Sequence, residues 1–189
     1  MNPRYKLKTA PSFFPADLRV LKINLHFTDD DDVDELLQEL MLTAIDMAQQ
    51  ITGRQFALAT YTAYLDAYPD NDIVDIDLGP VQGITSVGYY PQGSDTLTQI
   101  ASSGYQLDNV DLTARLKFKQ SFVPDPDRMN AIEIEFTTGW PSINEVPQSI
   151  KDAIILIASE RYLNPDGQGI STKASAAQRL LHNFKIQRF

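Results

Sequence analysis

The stretch that decides the fold runs from Asp29-Asp30-Asp31-Asp32-Val33-Asp34-Glu35-Leu36-Leu37 to Gly53. Behind its acidic opening, Val33, Leu36, Leu37, Leu40, Met41, Ala44, Ile45, Ala48 and Ile51 recur at i, i+3, i+4 and i+7, the spacing of a helix with one apolar face. This predicts a helix over 33–51. One of Asp29 to Asp32 is expected to cap it. The remaining acids lie where the partial positive charge of a helix N-terminus favours them, each worth ~0.3–1 kcal/mol when exposed, and Gly53 supplies a left-handed stop. The run lacks the glycine and closing glutamate of a calcium loop, so capping accounts for the aspartates without a metal.

Past Gly53 the period changes to two. Residues 54–138 are rich in Thr, Tyr, Val and Ile, with glycine or proline between short runs, and strands are expected near 55–66, 73–78, 84–90, 104–107, 112–119 and 131–137. In the last two, Leu116 and Phe118 alternate with Arg115, Lys117 and Lys119, and Ile132, Ile134 and Phe136 alternate with Glu133 and Glu135. An antiparallel pairing of these two would set basic against acidic side chains on the solvent face. Beyond Pro147, Ile150, Ala153, Ile154, Ile157, Ala158 and Tyr162 form a second long helical stripe, and Ile155 and Leu156 make that helix apolar on most sides. It is the expected partner of the 33–51 helix, with Leu36, Leu37, Leu40, Met41, Ala44, Ile45 and Ala48 packing on Ile150, Ala153, Ile154 and Ile157.

Two shorter helices complete the pattern. Pro15 to about Leu25 places Leu18, Leu21 and Leu25 on one face, although Val20, Ile23 and Phe27 also suit a strand. After the turn-rich Asn164-Pro165-Asp166-Gly167-Gln168-Gly169, Ala174, Ala177, Leu180, Leu181 and Phe184 mark a weaker helix, expected to order on binding a neighbour. The fold class is therefore α+β: a helical core of two long helices plus shorter ones, with an inserted antiparallel sheet or sandwich. The expected domains are 1–53 with 139–189, a helical core with flexible basic ends, and 54–138, the β-rich insert.

Charge narrows the function classes. The chain has 189 residues, 16 basic against 25 acidic, and a formal charge of −9, which argues against affinity built on phosphate neutralisation. The charge is uneven: residues 1–28 carry five bases against one acid, 29–53 eight acids and no base, 54–146 five bases against thirteen acids, and 147–189 six bases against three acids. Basic ends on an acidic body suit head-to-tail contact between copies or docking on an acidic partner; simple solvation of the terminal bases is the competing reading. With no cysteine there is neither a disulfide framework nor a thiolate metal site. No run of ~18 apolar residues appears, so the expectation is a protein of the cytoplasm with no membrane partner.

No set of residues assembles a reaction centre, and no cofactor is expected. His26 and His182 are isolated from any paired metal-ligand spacing, and there is no phosphate loop, nucleophile elbow or cysteine nucleophile. Glu133 and Glu135, two apart on one strand, favour cross-strand ion pairs over a glycosidase dyad. Tyr89, Tyr90 and Tyr105 would be the aromatic patch of a carbohydrate- or protein-binding β module on a helical stalk, the alternative reading of the chain.

The order of the segments carries a resemblance. DDDDVDELLQELMLTAIDMAQQITGR, YLDAYPDNDIVDIDLGPVQGITSVGYY, YQLD, IEIEFTTGWP and VPQSIKDAIILIASERYLNP follow one another as in the head-tail connector (adaptor) proteins of tailed bacteriophages. The chain resembles in particular the subgroup with a β insert between the core helices, over about residues 17–165. The resemblance implies a non-enzymatic virion-neck protein, assembled in a host cytoplasm from an active phage or a prophage. It implies a ring, monomeric in isolation or not, that docks beneath the portal protein and meets the next neck or tail protein. DNA would pass through without specific binding. Carried onto this sequence, Lys173, Arg179, Lys185, Arg188 and Phe189 would form a portal-facing arm, and Asp29, Asp30, Asp31, Asp32 and Asp34 would face the channel. The basic stretch before Pro11 departs from the family pattern.

Overall fold

The alternation of apolar and polar residues produces eight strands, and the two 3.6-residue stripes produce the two long helices, in a computed structural model that describes residues 3–28, 32–166 and 172–186. In chain order these are β1 (Arg4–Thr9), α1 (Leu18–Asn24), α2 (Asp34–Thr52), β2 (Ala59–Leu65), β3 (Ile73–Ile76), β4 (Val81–Tyr89), β5 (Thr98–Gln99), β6 (Tyr105–Asp108), β7 (Ala114–Phe118), β8 (Ile132–Thr138), α3 (Gln148–Leu163) and α4 (Thr172–Leu181). The fold is α+β. Contacts divide it into a β unit of residues 1–12 and 58–140 and a helical unit of residues 13–57 and 141–189.

In the β unit, a five-stranded sheet in the order β1-β2-β8-β4-β5 and a three-stranded sheet in the order β3-β7-β6 share one core. Every pairing is antiparallel. The inward row of the larger sheet, Ala63, Leu65, Val87, Ile132, Ile134 and Phe136, meets Val74, Ile76, Ala114, Leu116 and Phe118 of the smaller. One edge of the core is aromatic: Phe122 lies 4.6 Å from Tyr89, 4.8 Å from Tyr68 and 5.0 Å from Phe118, ring centre to ring centre.

Two expectations fail here for identifiable reasons. β7 and β8 do not pair, because each is the centre of its own sheet: β8 lies between β2 and β4, and β7 between β3 and β6. Their charges find other partners. Arg115 of β7 stands opposite Asp75 of β3 and binds Asp108 of β6 at 2.5 Å, while Glu135 of β8 binds Lys8 of β1 at 2.6 Å. The N-terminal segment, expected as a flexible basic end, is instead strand β1. Its Tyr5 ring sits edge-on to Phe136 at 5.9 Å and its hydroxyl accepts the Asp77 N–H at 3.0 Å.

In the helical unit α3 packs against both α2 and α4. Helix α1 starts at Leu18 because Asp17 caps it, its carboxylate accepting the Arg19 N–H at 2.9 Å. Helix α2 ends at Gly53, whose φ of 72° is the left-handed stop. Its start differs from expectation: the N-cap is Val33, with no side-chain cap bond, and Asp34 and Glu35 occupy the first turn. Asp29, Asp30 and Asp31 lie outside the described residues.

Two further corrections follow from packing. Leu36, expected in the core, is 51% exposed and Leu40 is half-buried, because the buried side of α2 is the narrower arc of Leu37, Met41, Ala44, Ile45 and Ala48. The tail expected to order on a neighbour packs within its own unit instead. Ala177 and Leu181 of α4 are buried, the Phe184 carbonyl accepts Arg54 Nε–H at 2.7 Å, and the Ile186 N–H donates to the Thr52 carbonyl at 3.0 Å.

Candidate functional site

The antiparallel register lays the outer face of the five-stranded sheet out as polar rows. Arg4 stands opposite Tyr64, Tyr64 opposite Glu133, and Glu133 opposite Gly88; one step along, Lys6, Thr62, Glu135 and Ser86 form the next row. Alternation made this face, since each strand turns its other side chains into the core. A hollow of about 370 Å³ lies on it, lined by Lys6, Lys8, Tyr64, Ser86, Glu133 and Glu135 among others. A second hollow of about 450 Å³ shares Lys6, Tyr64 and Glu133 and extends to Arg4, Tyr90, Arg128 and Met129.

Several charged groups of this face are paired. Lys8 binds Glu135, and Arg4 binds Asp66 at 2.6 Å and the Asn130 side-chain oxygen at 3.0 Å. Glu133 accepts the Tyr90 hydroxyl at 3.2 Å. Burial, together with the neighbouring Glu133 charge, raises the Tyr90 phenol above its ordinary pKa, so it stays a neutral donor. The Arg128 guanidinium lies 3.7 Å over the Tyr90 ring and binds Asp95 at 2.8 Å. Glu133 and Glu135 thus act as acceptors in a fixed lattice of hydrogen bonds and ion pairs. The three tyrosines of the alternative reading do not gather into one patch: Tyr89 stacks on Phe122, Tyr90 lies under Arg128, and Tyr105 packs against the core.

The residues read from the sequence as sites stand as follows. Asp32 is exposed, and Asp34 is exposed and ion-paired with Lys22 of α1. Arg179 is exposed in the last turn of α4, and Lys185 is exposed in the segment that follows. Arg188, Phe189 and the Lys173 side chain lie outside the described residues. Leu37, Met41, Ala44, Ile45, Ala48, Ile150, Ala153, Ile154 and Ile157 are buried. Missed altogether was the basic row of β1, although Arg4, Lys6 and Lys8 alternate with Tyr5 and Leu7 at the period of a strand. Among the described residues, no group of three or more His, Cys, Asp or Glu side chains is placed to hold a metal ion, and no helix is long and apolar enough to cross a membrane.

Among the described residues five ion pairs join surface charges, and the buried side chains of the β unit close a core. Solved structures that share its fold include components of a particle. A chain in the neck of an empty gene transfer agent (GTA) particle, computed with C6 symmetry, matches with a TM-score of 0.82 at 19% identity, covering 98% of this chain and 97% of that one. A chain in the virion of a native GTA particle matches at 0.81 and 18% identity, covering 98% and 96%. A chain in the neck of the native GTA particle, computed with C12 symmetry, matches at 0.74 and 19% identity, covering 98% and 97%. No protein-family model matches the chain, and no curated protein matches it.

Proposed function

We propose that this chain is a structural, non-enzymatic subunit of the neck of a phage-like particle. It forms a ring beneath the portal, extends the channel through which DNA passes, and joins the capsid to the next neck or tail protein. The observation that carries this reading is the TM-score of 0.82 to a neck chain over 98% of this chain and 97% of that one. Matching both ends means that the helical unit, the β unit and the order of their segments all correspond.

The finer assignments belong to the same proposal. The segment from Ser171 to Phe189, with Lys173, Arg179, Lys185, Arg188 and Phe189, is the arm that meets the portal. Asp29, Asp30, Asp31, Asp32 and Asp34 face the channel, where a ring of carboxylates repels DNA and lets it slide. Co-purification with portal protein, followed by electron microscopy of the assembled neck, tests the reading. Density for this chain as a ring directly below the portal is expected; a location elsewhere in the particle, or none, overturns it. Reversing Asp29 to Asp32 to lysine is expected to slow DNA exit from assembled particles, and unchanged exit removes the channel assignment.

A further inference from the structure

Helix α2 presents more apolar surface than its own unit covers. Its buried side chains centre on the arc of Leu37, Met41, Ala44, Ile45 and Ala48, and Leu36 and Met47 lie about 100–120° around the helix from that centre, at ~100° per residue. They are 51% and 37% exposed, with half-buried Leu40 beside them, and Arg161 Nη1–H of α3 donates to the Met47 sulfur at 3.9 Å. Exposed Glu39 borders this stripe, and no base occurs anywhere in residues 29–53. Helix α1 carries a second exposed apolar face: Val20 is 48% and Ile23 72% exposed, beside exposed Arg19.

The two faces look in different directions. Lys22 of α1 pairs with Asp34 of α2, which places α1 on the Asp34 side of that helix. Leu36, two residues further on, points roughly 160° around from Asp34, so the stripe turns away from α1. On α1, Val20 and Ile23 lie on the side away from Leu21, which is fully buried. An apolar stripe bordered by Glu39 near its N-terminal end and by Arg161 at Met47, and an apolar face bordered by Arg19, therefore occupy different sides of one unit.

We infer that the Leu36–Leu40–Met47 stripe of one copy docks on the Val20–Ile23 face of α1 in a second copy of this chain, with Glu39 facing Arg19. This rests on the ring proposed above. In a cyclic ring of more than two members every contact joins two unlike faces; these two are both apolar, and exposed Glu39 at one is opposite in charge to exposed Arg19 at the other.

The chain has no native cysteine, so engineered thiols report without background. Both Leu36 and Ile23 are exposed enough for cysteine to be accepted without loss of the fold. Native mass spectrometry establishes the ring, formed by the full-length chain alone or with portal, and mild oxidation is followed on a non-reducing gel. The double variant Leu36→Cys/Ile23→Cys is expected to give a ladder extending beyond dimer, while each single variant remains monomeric. Intact rings without a ladder overturn the proposed contact and leave the ring reading standing, as does cross-linking of either single variant. Absence of rings under every condition overturns both. As a second measure, Glu39→Arg and Arg19→Glu are each expected to lower ring yield at least tenfold, and the two together to restore it; failure of the pair to restore it counts against the contact.

Discussion

Ser159 of α3 is fully buried, and its hydroxyl has no hydrogen-bond partner among the described residues. A buried hydroxyl that has given up water without replacement lowers stability. Ser159→Ala is therefore expected to stabilise the protein by about 1 kcal/mol, read as a rise in the urea midpoint with unchanged slope. Tyr5 gives a prediction of opposite sense. Burial, with the nearby Asp77 charge adding to it, raises its phenol from 10.0 to about 12. Between those values the unfolded chain has lost the proton and the folded chain keeps it, so stability is intact below pH 10 and falls as pH rises towards 12. Tyr5→Phe is expected to flatten this alkaline loss in melting curves taken from pH 9 to 12, while costing about 1 kcal/mol at neutral pH through the lost bond to the Asp77 N–H. An equally steep loss in the variant would assign it to other groups. Leu36 marks where reading at this scale stops: its spacing and hydrophobicity are those of a core residue, and only the width of the arc that α3 covers leaves it at the surface.

Elements announce themselves when one period dominates and their ends carry distinctive residues. Helices α2 and α3 are legible because their apolar spacing is sustained for several turns, and the end of α2 because glycine alone takes φ of 72° without strain. Gly53→Ala is expected to cost about 1–2 kcal/mol for a left-handed residue with a Cβ. The added carbon would also come within 2.6 Å of the Ile186 side-chain tip, which can rotate aside. Chemical denaturation measures the sum; a neutral result would mean that α2 ends elsewhere in solution. Strand partners were harder to read than strands. The charge patterns of β7 and β8 match each other, but Asp75, Asp108 and Lys8 match them equally well, and a pair pattern does not reveal which sheet a strand joins. Strand β1 was hidden by its composition: its three bases belong to the outer face of a sheet that only the distant β2 and β8 complete.

At the scale of the whole molecule the chain passes between its two units three times, after residues 12, 57 and 140. Each unit is therefore discontinuous in sequence, although each closes a core of its own. The ends of the insert lie side by side, since the Leu58 N–H donates to the Trp140 carbonyl at 3.0 Å. Residues 57 and 141, one bond away on either side, are thus close enough for a tight loop to join them. A short closed loop costs less conformational entropy than a long one. Within the helical unit α2 packs on α3 and α3 on α4, so these helices have partners inside the same unit. Replacing residues 58–140 by two glycines, and starting the chain at Phe13, is expected to leave a helical protein that unfolds cooperatively in urea. Its denaturant slope should be about half that of the full chain, in proportion to the surface its smaller core exposes. Circular dichroism showing helix without a cooperative transition would mean that the helical unit depends on the β unit for its packing, and that the insert is a structural requirement of the fold.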